Sequence, residues 1–191
     1  TSPGYYQIGE YMVRDMHNYG EIDVSTIITK SSNVGASKIA LSLEPEQYWD
    51  TLSRFGFGQS TDSGYPGESS GSLNSFNTWS EIEMATLSFG YGLSVTPLQL
   101  VHAYSVLATG GIMLPVSFVK VNGSVMGKRV MPENITRQVR KMLETVVSAN
   151  GTGKRAAIKG YRVIGKTGTV HKSIRGGYSD DRYLSVFAGI A

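Results

Sequence analysis

Residues 160–170 read Gly-Tyr-Arg-Val-Ile-Gly-Lys-Thr-Gly-Thr-Val, and this stretch decides between two very different folds. Its first eight residues match the phosphate-loop pattern G-x-x-x-x-G-K-[ST] letter for letter. A phosphate loop needs flexible residues between its glycines and a helix that begins at the lysine. Here the four intervening residues are typical of strands, and Gly168-Thr169-Val170 has poor helix propensity. The stretch therefore predicts a β-strand and argues against a nucleotide-hydrolysing enzyme.

A second apolar stretch, Tyr183–Ile190, has the same strand-forming composition as Tyr161–Ile164. Gly176-Gly177 and Ser179-Asp180-Asp181 lie between the two stretches and are residue types that favour turns. Two strands joined in this way predict antiparallel neighbours in one sheet. The C-terminal part of the chain is therefore predicted to be β-structure.

The preceding part of the chain carries mainly helical patterns, in which apolar residues recur every three or four positions. The predicted helices are Val24–Lys30, Val34–Leu43, Pro45–Phe55, Trp79–Leu87, Thr96–Gly110 and Pro132–Ala149. The polar, glycine-rich stretch Gly56–Thr78 predicts a long loop, and Ile112–Val121 has a β-like pattern that Pro115 interrupts. We therefore expect an α/β fold of the α+β type in one domain. Its helical region would span about 21–110, and its sheet and long helix about 111–191.

Composition excludes several functional classes. The chain has 191 residues, of which 40% are apolar and 17% charged, so a packed core is expected rather than disorder. The absence of cysteine excludes disulfides, a thiol nucleophile and cysteine-ligated zinc. His17, His102 and His171 do not form an H-x-x-x-H pair, so we expect no metal and no cofactor. The net charge of +3 is scattered along the chain, which argues against a nucleic-acid partner.

The two ends of the chain have unusual features. The chain starts with Thr1 instead of Met and stops on an apolar strand at Ala191. No apolar run approaches the ~20 residues that a membrane-spanning helix needs, and the N-terminus lacks the pattern of a signal peptide. We expect this chain to be a piece of a longer protein, incomplete at both ends, with any anchor outside it.

Two short motifs contain side chains that are suited to catalysis or ligand binding. Lys166-Thr167-Gly168-Thr169 supplies a cation and two hydroxyls, and its glycine allows a ligand to approach the backbone. Strand alternation places Lys166 and Gly168 on one face and the two threonines on the other. Ser31-Ser32-Asn33 falls at a predicted helix break, where Ser can pass a proton and Asn can donate and accept hydrogen bonds. Alternatively, Ser32 or Asn33 simply caps the next helix.

Three longer blocks give these motifs a context. They are KSSNVGASKIAL at 30–41, LSFGYGLSVTPLQLVHAYSVLATGG at 87–111 and GTGKRAAIKGYRVIGKTGT at 151–169. From about Tyr5 to Ala191 the chain resembles the transpeptidase domain of class B penicillin-binding proteins, above all the members that act in cell division. Serine acyl-transferases of this kind carry S-x-x-K, S-x-N and K-T-G in that order. The resemblance implies a penicillin-binding-protein/β-lactamase-like transpeptidase fold.

The resemblance also implies a catalytic role for three residues. A full-length relative attacks the D-Ala–D-Ala bond of a peptidoglycan stem peptide with a serine nucleophile, which β-lactams acylate. Ser31 would relay a proton to the leaving amine, and Asn33 would bind the amide carbonyl of the substrate. Lys166 would hold Ser31 electrostatically and attract the terminal carboxylate of the substrate.

The remaining residues of the strand motif would bind substrate. By the same resemblance, Thr167 and Thr169 would donate hydrogen bonds to the terminal carboxylate, beside Gly168. The backbone N–H of Thr169 would contribute to the oxyanion hole. Val170 stands where relatives usually carry a small residue, which either narrows the edge of the site or has little effect.

The first family motif departs from the expected order. The sole S-x-x-K of the chain is Ser117-Phe-Val-Lys120, which lies between the other two motifs and in a β-like stretch. The nucleophile of relatives is expected at the start of a helix, where the lysine one turn later faces it. We therefore interpret Ser117 as a chance match, expect the nucleophile outside this chain, and expect the chain alone to be inactive.

The resemblance finally implies partners and a location. The partners would be the peptidoglycan stem peptide, β-lactam antibiotics and division proteins such as a septal glycan polymerase, at the periplasmic face of the inner membrane. Two alternatives stay open. One is a non-catalytic module that binds peptidoglycan or serves as a scaffold for division proteins. The other is a β-lactamase of the same fold, for whose deacylating glutamate Glu68 gives no support.

Overall fold

The computed structural model describes residues 1–174 and 177–191. It opens with a β-hairpin of β1 (Tyr5–Ile8) and β2 (Tyr11–Arg14), which the sequence analysis did not predict. The strands are antiparallel and Ile8 pairs with Tyr11, so the connection has two residues. Gly9 takes this tight turn at φ 55, a conformation that glycine adopts without strain. Ile8 and Val13 are buried, which attaches the hairpin to the helices.

All six predicted helices are present, with ends that differ from the predicted ones by no more than three residues. They are α1 (Val24–Lys30), α2 (Asn33–Ala40), α3 (Pro45–Arg54), α4 (Glu81–Leu87), α5 (Pro97–Ala108) and α6 (Glu133–Val146). Side-chain caps explain several of the starts. Asp23 accepts a hydrogen bond from the backbone N–H of Thr26, and Thr96 forms a capping box with Gln99.

Two short ladders brace the irregular regions. β3 (Ser72–Leu73) pairs with β4 (Leu93–Ser94), and β5 (Ile112–Met113) pairs with β6 (Lys128–Arg129). Apart from β3 and a 3₁₀ turn at Phe76–Thr78, the predicted loop Gly56–Thr78 has no regular structure. The β-like prediction for Ile112–Val121 is wrong beyond Met113. Pro115 cannot donate a ladder hydrogen bond, and the chain that follows is largely exposed.

The main sheet confirms the predicted antiparallel pair. β7 (Ile164–Ile174) runs beside β8 (Gly177–Ile190), with Ile164 opposite Ile190 and an irregularity between His171 and Ser173. The strand begins later than predicted, because Tyr161–Val163 is irregular. The predicted turn at Ser179-Asp180-Asp181 is wrong, because these residues lie within β8, at the irregularity between the pairs His171–Tyr183 and Ser173–Tyr178. Of the predicted turn Gly176-Gly177, Gly177 begins β8 and Gly176 lies outside the described residues.

Two buried clusters connect the helices to the strands. One joins the hairpin to the helices through Ile8, Val13, Val34 and Ala85, and the other joins α5 and α6 to β7 through Leu107, Leu143 and Ile164. Helix α1 packs along α6, and α6 packs against β7. None of the helices in the described ranges combines the length and apolar character of a membrane-crossing segment.

Candidate active site

The Ser31-Ser32-Asn33 turn joins α1 to α2. Ser31 ends α1 in the left-handed conformation, at φ 57 and ψ 48. Its N–H donates to the carbonyl of Ile28, and the N–H of Ser32 donates to the carbonyl of Ile27, which closes the helix as a Schellman motif. Ser32 then caps α2 by accepting a hydrogen bond from the N–H of Gly35 at 2.9 Å. Because Ser32 caps the helix, the side chains of Ser31 and Asn33 are not needed for capping. Both residues lie at the cavity described below.

The hairpin supports this turn from the other side. The carboxylate of Asp15, directly after β2, accepts hydrogen bonds from the Ser32 hydroxyl at 2.6 Å and from the N–H of Val34 at 3.0 Å. The side-chain amide of Asn33 donates to the carbonyl of Arg14 at 3.3 Å. The sequence analysis missed these two residues. The signal that could have found them was Gly9-Glu10 between two stretches of alternating strand-forming residues.

Lys166 connects the strand to the turn. Its Nζ donates to the Ser31 Oγ at 2.7 Å and to the carbonyl of Thr167 at 2.9 Å. The two residues of this contact are 135 positions apart in sequence. Burial lowers the pKa of the Lys166 ammonium below its ordinary value, because the cation loses hydration. A hydroxyl held by an ammonium group is well placed to pass a proton.

The threonines that flank Gly168 differ in their surroundings. The Thr167 hydroxyl lies 2.8 Å from the hydroxyl of Thr152, which belongs to the segment between α6 and β7. Thr169 is exposed. The same connecting segment is tied to α1, because the Lys30 ammonium donates to the carbonyl of Asn150 at 2.9 Å. Neighbouring side chains of β7 thus reach different elements: Lys166 reaches the turn and Thr167 reaches the α6–β7 connection.

A cavity of about 690 Å³ lies between the turn and β7. Its polar lining includes Ser31, Ser32, Asn33, Lys166, Thr167, Gly168 and Thr169. Its apolar lining includes Phe57, Phe89, Leu93, Val95, Leu100, Leu184 and Val186. The structure therefore brings every candidate site residue of the two motifs to one cavity.

The other sequence candidates lie elsewhere. Ser117 sits in an exposed irregular segment, where its hydroxyl donates to the carbonyl of Val119 at 2.8 Å. Glu68 accepts hydrogen bonds from Thr61 and Ser63, and those of Thr61 above all lower the pKa of its carboxyl to about 2. Neither residue lines the cavity. The phosphate-loop match also fails structurally, since Lys166 is followed by strand residues instead of a helix.

The described residues also offer no obvious metal centre. In residues 1–174 and 177–191, no group of three His, Asp or Glu side chains is arranged to hold a metal ion. The polar side chains that line the cavity include hydroxyls, the amide of Asn33 and the ammonium group of Lys166.

Comparisons with known proteins identify the family of this chain. Residues 1–191 match the family described as penicillin binding protein transpeptidase domain. The chain is 45% identical over 186 residues to the Escherichia coli K12 protein named peptidoglycan D,D-transpeptidase FtsI. It is 42% identical over 186 residues to the Neisseria gonorrhoeae protein named probable peptidoglycan D,D-transpeptidase PenA. Each alignment covers 97% of this chain and 32% of the relative, so the chain spans about a third of these curated relatives.

A solved structure shows the same fold. The apo structure of the TP domain from Burkholderia pseudomallei penicillin-binding protein 3 superimposes with a TM-score of 0.94 at 41% identity. The match covers 98% of this chain and 57% of that one. The predicted mixed helix-and-sheet transpeptidase fold is thereby confirmed. The chain belongs to the penicillin-binding protein transpeptidase domain family.

Proposed function

We propose that this chain is part of a serine D,D-transpeptidase that cross-links peptidoglycan stem peptides and is acylated by β-lactams. The observation that carries the proposal is the 2.7 Å contact between Lys166 Nζ and Ser31 Oγ. It joins the two motifs of the family that this chain contains, across 135 residues and at one cavity. A chance occurrence of either short motif would not place both at the same site.

The acyl-donor stem peptide would bind between the turn and β7. Asn33 would donate to the amide carbonyl of the donor, since its side-chain nitrogen carries a second N–H beyond the one given to Arg14. Lys166 would attract the terminal carboxylate, to which Thr167 and Thr169 would donate hydrogen bonds beside Gly168. The apolar side chains of the cavity would exclude water and so strengthen these polar interactions.

The chemical steps would then proceed through an ester. A serine nucleophile attacks the carbonyl carbon of the D-Ala–D-Ala bond, and Ser31 passes the proton of that serine to the departing D-Ala amine. The backbone N–H of Thr169 would stabilise the oxyanion of the tetrahedral intermediate. The amine of a second stem peptide would attack the ester and release the serine, which leaves the cross-link. A β-lactam would acylate the same serine.

The nucleophile would come from another part of the full-length protein. Ser117-Phe-Val-Lys120 is the sole S-x-x-K of these 191 residues, and the structure holds it away from the cavity. We accordingly propose that the 191 residues alone form no acyl-enzyme. The resemblance to cell-division members of the family, together with the similarity to the relative named FtsI, supports a role in septal wall synthesis, with division proteins such as a septal glycan polymerase as partners. The site would then face the periplasm from the inner membrane.

The test is the intact mass of the full-length protein after exposure to benzylpenicillin. We expect an increase of one drug mass, mapped by peptide analysis to a serine outside these 191 residues. The isolated 191-residue chain and a full-length Ser117→Ala variant serve as controls: the first should gain no mass, and the second should be acylated normally. A folded full-length protein without an adduct would favour the non-catalytic scaffold, and an adduct on Ser117 would show that the motif order was misread.

A further inference from the structure

The carboxylate of Asp15 lies behind the Ser31-Ser32-Asn33 turn and is not part of the cavity lining. It is half-buried, and its backbone N–H donates to the carbonyl of Gly4 at 3.0 Å, which fixes it to the hairpin. Both carboxylate oxygens are used: one accepts from the Ser32 hydroxyl and the other from the N–H of Val34. Two charge-assisted hydrogen bonds thus join the end of β2 to the start of α2.

The Ser32 hydroxyl links Asp15 to the first turn of α2. The side chain of Ser32 is 2% exposed, and its hydroxyl donates to Asp15 while accepting from the N–H of Gly35. A buried hydroxyl with both directions satisfied has one orientation, which fixes the backbone on either side of it. The residues on either side are Ser31 and Asn33, to which the proposed function assigns roles in the cavity. Asn33 is held additionally by the carbonyl of Arg14, the neighbour of Asp15.

We propose that Asp15 is a positioning residue of the acyl-donor site, which fixes the Ser31-Ser32-Asn33 turn against β2. This inference rests on the proposed function. Without the carboxylate, the Ser32 hydroxyl and the Val34 N–H lose their acceptor, and the turn is free to rotate away from the hairpin. Asn33 would then lose its placement toward the amide carbonyl of the donor, and Ser31 would lose its alignment with Lys166.

The test compares two penams in the full-length protein. Benzylpenicillin carries an acylamide group whose carbonyl Asn33 would bind, whereas 6-aminopenicillanic acid lacks that group. We expect Asp15→Ala to lower the second-order acylation rate constant of benzylpenicillin at least ~30-fold, and that of 6-aminopenicillanic acid less, because it never used Asn33. The ratio of the two rate constants should fall at least ~5-fold. Asp15→Asn keeps one acceptor oxygen for two donors and should give an intermediate ratio.

A matched control separates positioning from stability. Ser80→Ala removes the N-cap of α4, including its hydrogen bond from the N–H of Glu83, but Ser80 lies outside the cavity. This control should lower the unfolding temperature and leave the ratio of rate constants unchanged. An unchanged ratio in both Asp15 variants would overturn the inference and leave Asp15 a purely structural role. Should Asp15→Ala not fold, the ratio measured for Asp15→Asn decides. A wild-type protein that neither penam acylates would refute the proposed function instead.

Discussion

The Ser31-Ser32-Asn33 turn and the Lys166–Thr169 segment face each other across one cavity, but different interactions hold each in place. The turn depends on particular side chains: Ser32 caps a helix and Asp15 accepts two hydrogen bonds behind it. The strand segment depends on its backbone, which pairs residue by residue with β8 from Ala188 to Ser185. A substitution of one of these side chains should therefore change the conformation of the turn. The strand should tolerate many side chains, as long as its backbone pairing with β8 persists.

The comparison also indicates which residues should affect catalysis alone and which should affect both catalysis and stability. On β7, a substitution of Lys166 should leave the strand intact, because backbone pairing with β8 maintains the strand and the lysine side chain does not. In the turn, Ser31 ends the helix in a left-handed conformation that is sterically costly for most residues with a Cβ. The largest effects of substitution on catalysis are thus expected on the strand, and the clearest trade-off between catalysis and stability is expected in the turn.

Replacing the ammonium group of Lys166 should have the largest effect. Lys166→Met keeps the length of the side chain but removes the hydrogen bond to Ser31 and the positive charge that would attract the carboxylate. We expect the acylation rate of the full-length protein with benzylpenicillin to fall on the order of 10³-fold, within the range typical of proton-transfer and charge-stabilising groups. The matched control is Lys38→Met, because Lys38 lies outside the cavity over the ring of Tyr6. A Lys166→Met variant that is acylated at the rate of this control would contradict the expectation that the strand carries the largest effects on catalysis.

The pH dependence of acylation should reveal the titration of the same ammonium. Burial lowers the pKa of Lys166 below its ordinary value of 10.5, so the group loses its proton at a lower pH than an exposed lysine. Since the charged form performs the role, the acylation rate should fall about tenfold per pH unit above that lowered pKa. Stopped-flow acylation between neutral pH and pH 10 measures the fall. Lys166→Arg stays protonated throughout, so its profile should be flat over the same range, whatever its absolute rate. A fall of equal steepness in both proteins would assign the titration to another group.

The smallest expected effect is a gain in stability from Ser31→Gly. Glycine adopts φ 57 without the steric cost that a Cβ imposes, so the free energy of unfolding should rise by about 1 kcal/mol. Thermal unfolding of the full-length protein should show an increase of a few °C in the transition of this domain. Ser31→Ala retains the Cβ and should show no gain, while both variants lose the hydroxyl and should be acylated about equally slowly. A Ser31→Gly variant no more stable than Ser31→Ala would show that the turn carries no backbone strain.

The sequence predicted the helices and the main strand pair because both follow from local patterns. Thr96-Pro97 marks the start of α5 by capping chemistry, and a run of strand-forming residues marks β8. The N-terminal hairpin was missed because each of its strands has only four residues, so their pattern predicts strands only when it is read together with the turn signal Gly9-Glu10. The hairpin packs against Val34 of α2, and a contact between residues distant in sequence cannot be predicted from a short local pattern.

The residues of the candidate site were predictable as two motifs, but their placement at one site was predictable only from the family resemblance. The residue types of Ser31, Asn33 and Lys166 indicated their chemistry, and the resemblance to a family indicated that they belong together. Asp15 could not be found in this way, because an isolated aspartate after an unrecognised strand has no pattern of its own. Its importance follows from the three-dimensional position of β2 beside α2, which only the folded structure provides.

The hydrogen bond between Lys166 and Ser31 closes a loop of 135 residues. Loop-closure entropy for that length costs about 4 kcal/mol before any contact across the loop contributes, and such contacts form slowly. The hairpin and the α1–α2 unit involve near neighbours in sequence and form without that delay. The two sides of the cavity should therefore meet only late in folding. In the full-length protein, a fluorescent penicillin would then label only molecules that have completed their folding, and the increase of that label during refolding would give the rate of the last folding step.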